Sequence, residues 1–308
     1  MNKIFNVFKE RYPNTKLTNI RVLYGDINYC SSCFPVLTKS RPVGCGTNIL
    51  SWIHYHRHFQ VLNNNGANLL KKYDILYLMK RDVAIWRGTT TGIWTKNISS
   101  DDINNNGITN VSIKPDHTRE IFVTKYYNST TDLIDIGLSK CGVQTSSRCD
   151  TLNKFVKDTK TIQELLQYKF LISLEGNDVA TGLKWMLASN SVVFMPQSNM
   201  ESWIVESQLK PWVHYVPIKY DGSDLIEKIK HAIDNPHQMI SIINNANHYM
   251  NKFLNFYEQI NEASEVLKYY NDHVHYLPNK SNYMIKCDSN QNSTWLYDQL
   301  KKCNLSFQ

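Results

Sequence analysis

Several short stretches of this 308-residue chain combine charge, hydroxyls and glycine in ways that could do chemistry. Arg21-Val22-Leu23-Tyr24-Gly25-Asp26 reads as a short strand ending in Gly-Asp. An acid at the carboxyl end of a sheet strand stands where α/β enzymes place catalytic groups, although a turn Asp capping the next segment has the same appearance. Thr38-Lys39-Ser40-Arg41-Pro42 sets the cations Lys39 and Arg41 and two hydroxyls beside a rigid turn. Together they could hold an anionic or sugar ligand; separately they are a surface loop. In Trp86-Arg87-Gly88-Thr89-Thr90-Thr91-Gly92 a strand runs into a cation, a glycine that admits close backbone approach, and a row of hydroxyls. The stretch is not a P-loop, because the Gly-Lys-Ser/Thr ending is missing. Arg119 lies at the start of a helical run opened by Thr118-Arg119-Glu120, where it could reach a phosphate or form a surface ion pair.

Residues 168–217 hold the strongest pattern. An apolar run over 170–174 leads into Glu175-Gly176-Asn177-Asp178, then a helical pattern at Leu183, Met186 and Leu187, then a second apolar run over 192–195. Strand, polar glycine-bearing loop, helix, strand is the repeating unit of a nucleotide-binding α/β sheet. There the loop N–H groups and the helix N-terminus face an anion, typically a phosphate, though an ordinary α/β core carries the same pattern. Two other clusters are weaker. Cys30-Ser31-Ser32-Cys33, with Cys45 nearby, has metal-like spacing but no matching second pair. His54, His56 and His58 would share a face only on a strand, and their apolar neighbours read as helical.

The elements that must position these residues follow from periodicity. Residues 69–79 and 83–86 read as a helix or strand leading into a second strand, and residues 121–127 as a helix. Asn-rich, Gly-broken residues 97–110 form a loop. Asp224 and Glu227 have N-cap and N3 spacing before a helix that Asn235-Pro236 breaks; a second long pattern runs over about 238–270. The chain is long enough for two lobes. Its 42% hydrophobic and 20% charged residues are those of a globular protein. A net charge of +7 suits a phosphate-bearing ligand, but no Lys/Arg block marks a nucleic-acid tract. Seven scattered cysteines suggest reduced thiols. No run approaches the ~20 apolar residues of a membrane span. A cytoplasmic location is therefore expected, with peripheral membrane association left open.

The runs Leu-Glu-Gly-Asn-Asp from Leu174, Gly-Leu-Lys-Trp-Met-Leu-Ala-Ser-Asn-Ser-Val-Val from Gly182 and Leu-Lys-Pro-Trp-Val-His-Tyr-Val-Pro from Leu209 resemble the glycosyltransferases of family ninety. That family holds lipopolysaccharide-modifying and capsule-associated enzymes and the protein O-glucosyltransferases. The Thr38–Pro42 run, the Trp86–Gly92 run and the Thr118-Arg119 helix start add to the likeness, in the family's order. The resemblance implies an α/β, GT-B-like fold of two Rossmann-type lobes. An acceptor-side lobe would span 1–78, a donor-nucleotide lobe 79–250, and a C-terminal helical segment 251–308 would pack back on the first.

It further implies an enzyme, an inverting, metal-independent transferase moving a hexose, glucose foremost, from a UDP-sugar to a saccharide acceptor of lipopolysaccharide or glycan type. No metal or other cofactor is expected, in keeping with the lack of an Asp-x-Asp motif. Asp26 aligns with the catalytic base of the family. Arg87, Gly88, Thr89 and Arg119 match donor contacts, as does the loop Asn177-Asp178-Val179-Ala180-Thr181-Gly182 with Lys184 beyond it. Glu175, Gly176 and Glu201 are candidates beside the ribose or sugar, and Lys39 and Arg41 for the acceptor or sugar. Secretory members carry an arginine where Thr95 stands, and Arg119 takes its place here. The partners are thus a nucleotide-sugar donor and a glycan acceptor, with no nucleic acid. The competing expectation is a non-catalytic nucleotide- or carbohydrate-binding protein that keeps the fold.

Overall fold

The computed structural model describes residues 2–17, 36–45, 48–50, 66–92, 118–142, 149–275 and 284–285. Asp26, Cys30, Cys33, the three alternating histidines and the 97–110 loop lie outside the described residues. The amino-terminal part holds helix α1 (Asn2–Arg11), strands β1 (Val36–Thr38), β2 (Ser40–Pro42) and β3 (Asn48–Leu50), and helix α2 (Gly66–Tyr73). Strand β4 (Arg81–Thr89), helix α3 (Thr118–Tyr126), strand β5 (Ile134–Lys140) and short helices α4 (Cys149–Leu152) and α5 (Ile162–Leu165) follow. Next come strand β6 (Tyr168–Ile172), helix α6 (Leu183–Leu187) and strands β7 (Val192–Met195), β8 (Met200–Ser202) and β9 (Val216–Pro217). Helices α7 (Leu225–Asp234), α8 (Pro236–Leu254) and α9 (Phe256–His273) and the pair β10 (Val274–His275) and β11 (Met284–Ile285) complete it.

The molecule is α/β, built on a five-stranded sheet of order β5-β4-β6-β7-β9 in which every pairing is parallel. The period of two along each strand divides the core between the two faces. Ala84, Trp86, Phe170, Ile172, Val192 and Phe194 pack with Phe122 and Val123 of α3, Ile229 of α7 and Ile242 of α8. On the other face Val193 and Met195 pack with Leu183 and Leu187 of α6, Met250 of α8 and Tyr270 of α9. Ile85 and Leu171, also on that face, meet Trp185 of α6. Strands covered on both faces read as unbroken apolar runs, which is why 170–174 and 192–195 stood out.

Chain order matters more than strand count here. From β4 the chain passes through α3 to β5 on one side, then crosses to β6 on the other. The direction of winding therefore reverses between β4 and β6, which leaves a crevice beyond their carboxyl ends. Two smaller pairings flank the sheet, β1 with β3 in parallel and β2 with β8 antiparallel. Helix α1 lies against α9, with Phe8 in the same cluster as Leu267 and Tyr270 and Arg11 paired to Glu265 at 2.6 Å.

Three local expectations are corrected. The cysteines are not all reduced: Cys141 and Cys149 form a disulfide, their Cα atoms 5.7 Å apart, and Cys45 is disulfide-bonded as well. Spacing along a chain says nothing of the fold that brings the end of β5 back to the start of α4. Asp224 does start a helix but does not cap it, because its Oδ1 accepts the Lys219 N–H at 2.9 Å instead. The long pattern over 238–270 is two helices, parted at Asn255.

Candidate functional site

At the crevice the loops that follow β4 and β6 lie side by side. The Gly92 N–H donates to Asn177 Oδ1 at 3.0 Å, linking their tips. Gly92 itself sits at φ 104°, a conformation that side chains rarely adopt. Arg119, in the first turn of α3, fastens both loops. Its Nη1 donates to the Thr89 carbonyl at 3.0 Å and to Thr91 Oγ1 at 2.7 Å. Its Nη2 donates to the Leu174 carbonyl at 2.8 Å and its Nε to the Glu175 carbonyl at 3.1 Å. Burial pulls the Arg119 pKa down to about 10 against the pull of Asp178 and Glu175, so the guanidinium stays charged at neutral pH. Gly176 makes this closeness possible. A β-carbon there would stand 2.8 Å from Thr91 Oγ1 and 3.0 Å from Arg119 Nη2.

The amino-terminal strand β2 joins from the other side. Asp178 Oδ2 accepts the Ser40 hydroxyl at 2.8 Å and pairs with Lys39 Nζ at 3.0 Å. Arg41 and Glu201 face each other across the β2–β8 ladder, Nε to Oε2 at 2.9 Å, and the Ser207 hydroxyl also donates to Glu201. Glu175 turns its Oε1 to the Asn199 and Met200 N–H groups at 3.0 and 3.1 Å, holding the start of β8. Four separate motifs of the sequence thereby meet in one place. A narrow cavity opens among them, lined by Thr118, Ser173, Glu175, Val179, Ala180, Glu206 and Tyr220 among others.

Not every expected residue faces that cavity. Arg87 Nη2 donates to both Asp135 carboxylate oxygens, at 2.8 and 2.9 Å, and its Nε to the Asp158 carbonyl. Asp135 is partly buried, which favours its neutral form, yet hydrogen bonds from Arg87 and Lys157 hold its pKa below the usual carboxylate range. Lys184 is wholly buried and its ammonium is given to Glu206 at 2.8 Å. Glu206 in turn accepts the Ser202 N–H at 2.5 Å and hydroxyl at 2.7 Å. Arg87 and Lys184, two of the three expected donor cations, are therefore engaged away from the cavity, while Thr181 is exposed. Gly88 lies against the Trp86 ring, 2.5 Å from where a β-carbon would be. Gly182 precedes α6 at φ −74°.

Glu206 and Tyr220 were not foreseen as site residues. Tyr220 accepts Asn199 Nδ2 at 2.7 Å and donates to the Gln197 carbonyl at 2.5 Å, bracing the loop after β7. Neither has a motif signal of its own. Among the described residues no group of three or more His, Cys, Asp or Glu side chains could hold a metal ion.

The sequence model described as glycosyl transferase family 90 matches residues 114–303. O-glucosyltransferase LpsA of Dichelobacter nodosus is 40% identical over 114 residues, which cover 37% of this chain and 36% of that protein. Protein O-glucosyltransferase 2 of Danio rerio is 41% identical over 71 residues, 23% of this chain and 14% of that one. Among solved structures, the C-terminal domain of a glycosyl transferase group 1 family protein (LpcC) from Francisella tularensis overlaps at a TM-score of 0.32 and 12% identity. That overlap takes in 63% of this chain and 95% of that domain, and it is too slight to bear on how lobes are arranged.

Proposed function

The chain belongs to glycosyl transferase family 90, and from that premise we propose that it transfers a hexose, glucose foremost, from a UDP-sugar to a saccharide acceptor. One observation carries the reading. The family-like motifs at Thr89–Gly92, Thr118-Arg119, Glu175–Asp178 and Lys39–Arg41 are separate in sequence, yet they converge by hydrogen bonds and ion pairs at the crevice between β4 and β6. In sheets of this topology ligands bind at such a crevice.

On this reading the donor diphosphate lies over the loops after β4 and β6. The Arg119 charge, the α3 N-terminus and the loop N–H groups of 176–182 offset the negative charge that grows on the departing diphosphate. Arg87 and Lys184 act from behind, one fixing β4 to β5 and the other fixing α6 to the turn that carries Glu206. Asp26 is the proposed base: it takes the proton of the acceptor hydroxyl, whose oxygen attacks the anomeric carbon opposite the leaving group. Inversion at that carbon, independence of metal and the division into lobes at 1–78, 79–250 and 251–308 belong to the same proposal.

Incubation with a panel of nucleotide sugars, following hydrolysis and transfer with and without a chelator, tests it. UDP-glucose turnover that survives chelation and is lost in Asp26→Asn, with UDP still bound, is the expected result. Binding of UDP with no turnover of any donor would favour the binding-protein reading, and binding of no nucleotide sugar would sink both.

A further inference from the structure

Between α2 and β4 the chain makes a tight turn at Leu76-Tyr77-Leu78-Met79. It is closed by bonds from Met79 N to the Leu76 carbonyl at 2.9 Å and from Lys80 N to the Tyr77 carbonyl at 3.1 Å. Leu76 is 69% exposed, Leu78 64% and Met79 73%, more than any other large apolar side chain among the described residues. Tyr77 is buried in the core, with the Lys169 ammonium 5.2 Å from its ring centre. Lys80 is buried too, donating to Asp74 Oδ1 at 2.5 Å, the Leu166 carbonyl at 2.6 Å and Ser191 Oγ at 2.8 Å. Two buried anchors therefore hold a contiguous apolar tip in water. Single exposed leucines need no explanation, but a fixed cluster marks an interaction surface.

The surroundings of the tip are basic. Lys71 and Lys72 are exposed in the last turn of α2, and Arg81 is exposed where β4 begins. The neighbouring carboxylates are paired, Asp74 with Lys80 and Asp82 with Lys169 at 2.6 Å. A second copy docked tip to tip would set Lys71, Lys72 and Arg81 against their own like charges. A partner that is anionic at its surface and apolar just beneath matches both features, and the headgroup–acyl boundary of an anionic bilayer has that make-up.

We propose that the 76–79 turn is a membrane-docking tip, in which Leu76, Leu78 and Met79 enter the headgroup–acyl boundary while Lys71, Lys72 and Arg81 face anionic headgroups. The inference is independent of the proposed reaction. It also fixes an orientation: β4 starts at the tip and ends at the crevice, and the steps between its nine residues, at about 3.3 Å each, set the two roughly 26 Å apart. The docked protein would open its crevice away from the bilayer.

Cosedimentation of the whole chain with phosphatidylcholine vesicles, with and without phosphatidylserine, tests the tip. Binding is expected only with phosphatidylserine, weakening as salt rises. It should fall about tenfold or more in Leu76→Ser/Leu78→Ser/Met79→Ser and, separately, in Lys71→Glu/Lys72→Glu. Both variants should keep the wild-type unfolding midpoint and UDP-sugar hydrolysis, since every substituted side chain is in solvent. No binding by the unsubstituted chain, or binding by either variant as strong as that of the unsubstituted chain, overturns the proposal. So does a concentration-dependent dimer in sedimentation velocity that the serine variant abolishes, which would make the tip a contact between copies.

Discussion

Arg119 donates through its Nε and both terminal nitrogens to three backbone carbonyls and one hydroxyl, drawn from two loops 80-odd residues apart in sequence by way of Thr89, Thr91, Leu174 and Glu175. A lysine has one nitrogen and no planar fork, so it cannot span both loops. Arg119→Lys is expected to lose about 2–4 kcal/mol in urea unfolding, with transfer falling further than stability does; wild-type stability would mean that the guanidinium geometry is unimportant. Gly176→Ala probes the same contact from the opposite side. Its methyl would stand 2.8 Å from Thr91 Oγ1 and 3.0 Å from Arg119 Nη2, so the loop must shift. The expected cost is about 1–3 kcal/mol, together with, on the proposed reading of the site, a raised Kd for UDP by calorimetry.

At the scale of elements, the turn between β8 and β9 holds a residue that its type does not favour. Val205 lies at φ 51°, ψ 66°, a left-handed conformation that crowds a β-branched side chain. The Tyr249 hydroxyl clamps it, donating to the Ile204 carbonyl at 2.5 Å and the Val205 carbonyl at 3.2 Å. Val205→Gly should therefore be neutral or stabilising by up to about 1 kcal/mol, despite the lost side chain. A lowered midpoint in thermal unfolding would show that the valine's packing outweighs its strain. This turn was not legible in the sequence, because nothing in Ile204-Val205-Glu206 marks a left-handed residue. Strands β6 and β7 were legible, since a strand covered on both faces writes itself as a continuous apolar run. The helix start at Thr118-Arg119 was legible too. What Arg87 and Lys184 bind was not: a cation advertises its charge but not its partner, and Asp135 and Glu206 lie 48 and 22 positions away. The meeting of β2 with β8 was equally hidden, because short strands of three residues carry too little periodicity to be paired by pattern.

Across the whole molecule, the Cys141–Cys149 bridge ties the end of β5 to α4 beside Thr90, whose Oγ1 accepts the Gly142 N–H at 2.7 Å. Closing so short a loop is worth about 2.5 kcal/mol on the chain-entropy account. Cys141→Ser/Cys149→Ser, or treatment with dithiothreitol, should remove about that much in denaturant unfolding; no change would mean that the bridge constrains nothing. Disulfides persist in oxidising surroundings, so non-reducing mass spectrometry of protein taken from its own host would also report on the compartment it occupies.

The β2–β8 ladder has a consequence in time as well as in space. Arg41 and Glu201 are 160 positions apart, whereas β4, β6 and β7 follow one another more closely along the chain. Bringing such distant ends together costs roughly 4–5 kcal/mol in loop closure before any contact rewards it, and non-local pairings of this kind form slowly. The parallel sheet should therefore condense first and the β2 strand should dock onto it afterwards. In pulsed hydrogen exchange during refolding, amides of β4 and β6 should gain protection before those of Arg41 and Glu201; simultaneous protection would refute that order. If the order holds, the crevice is the last part of the protein to be born, and a chain caught midway would carry a finished core and no working site.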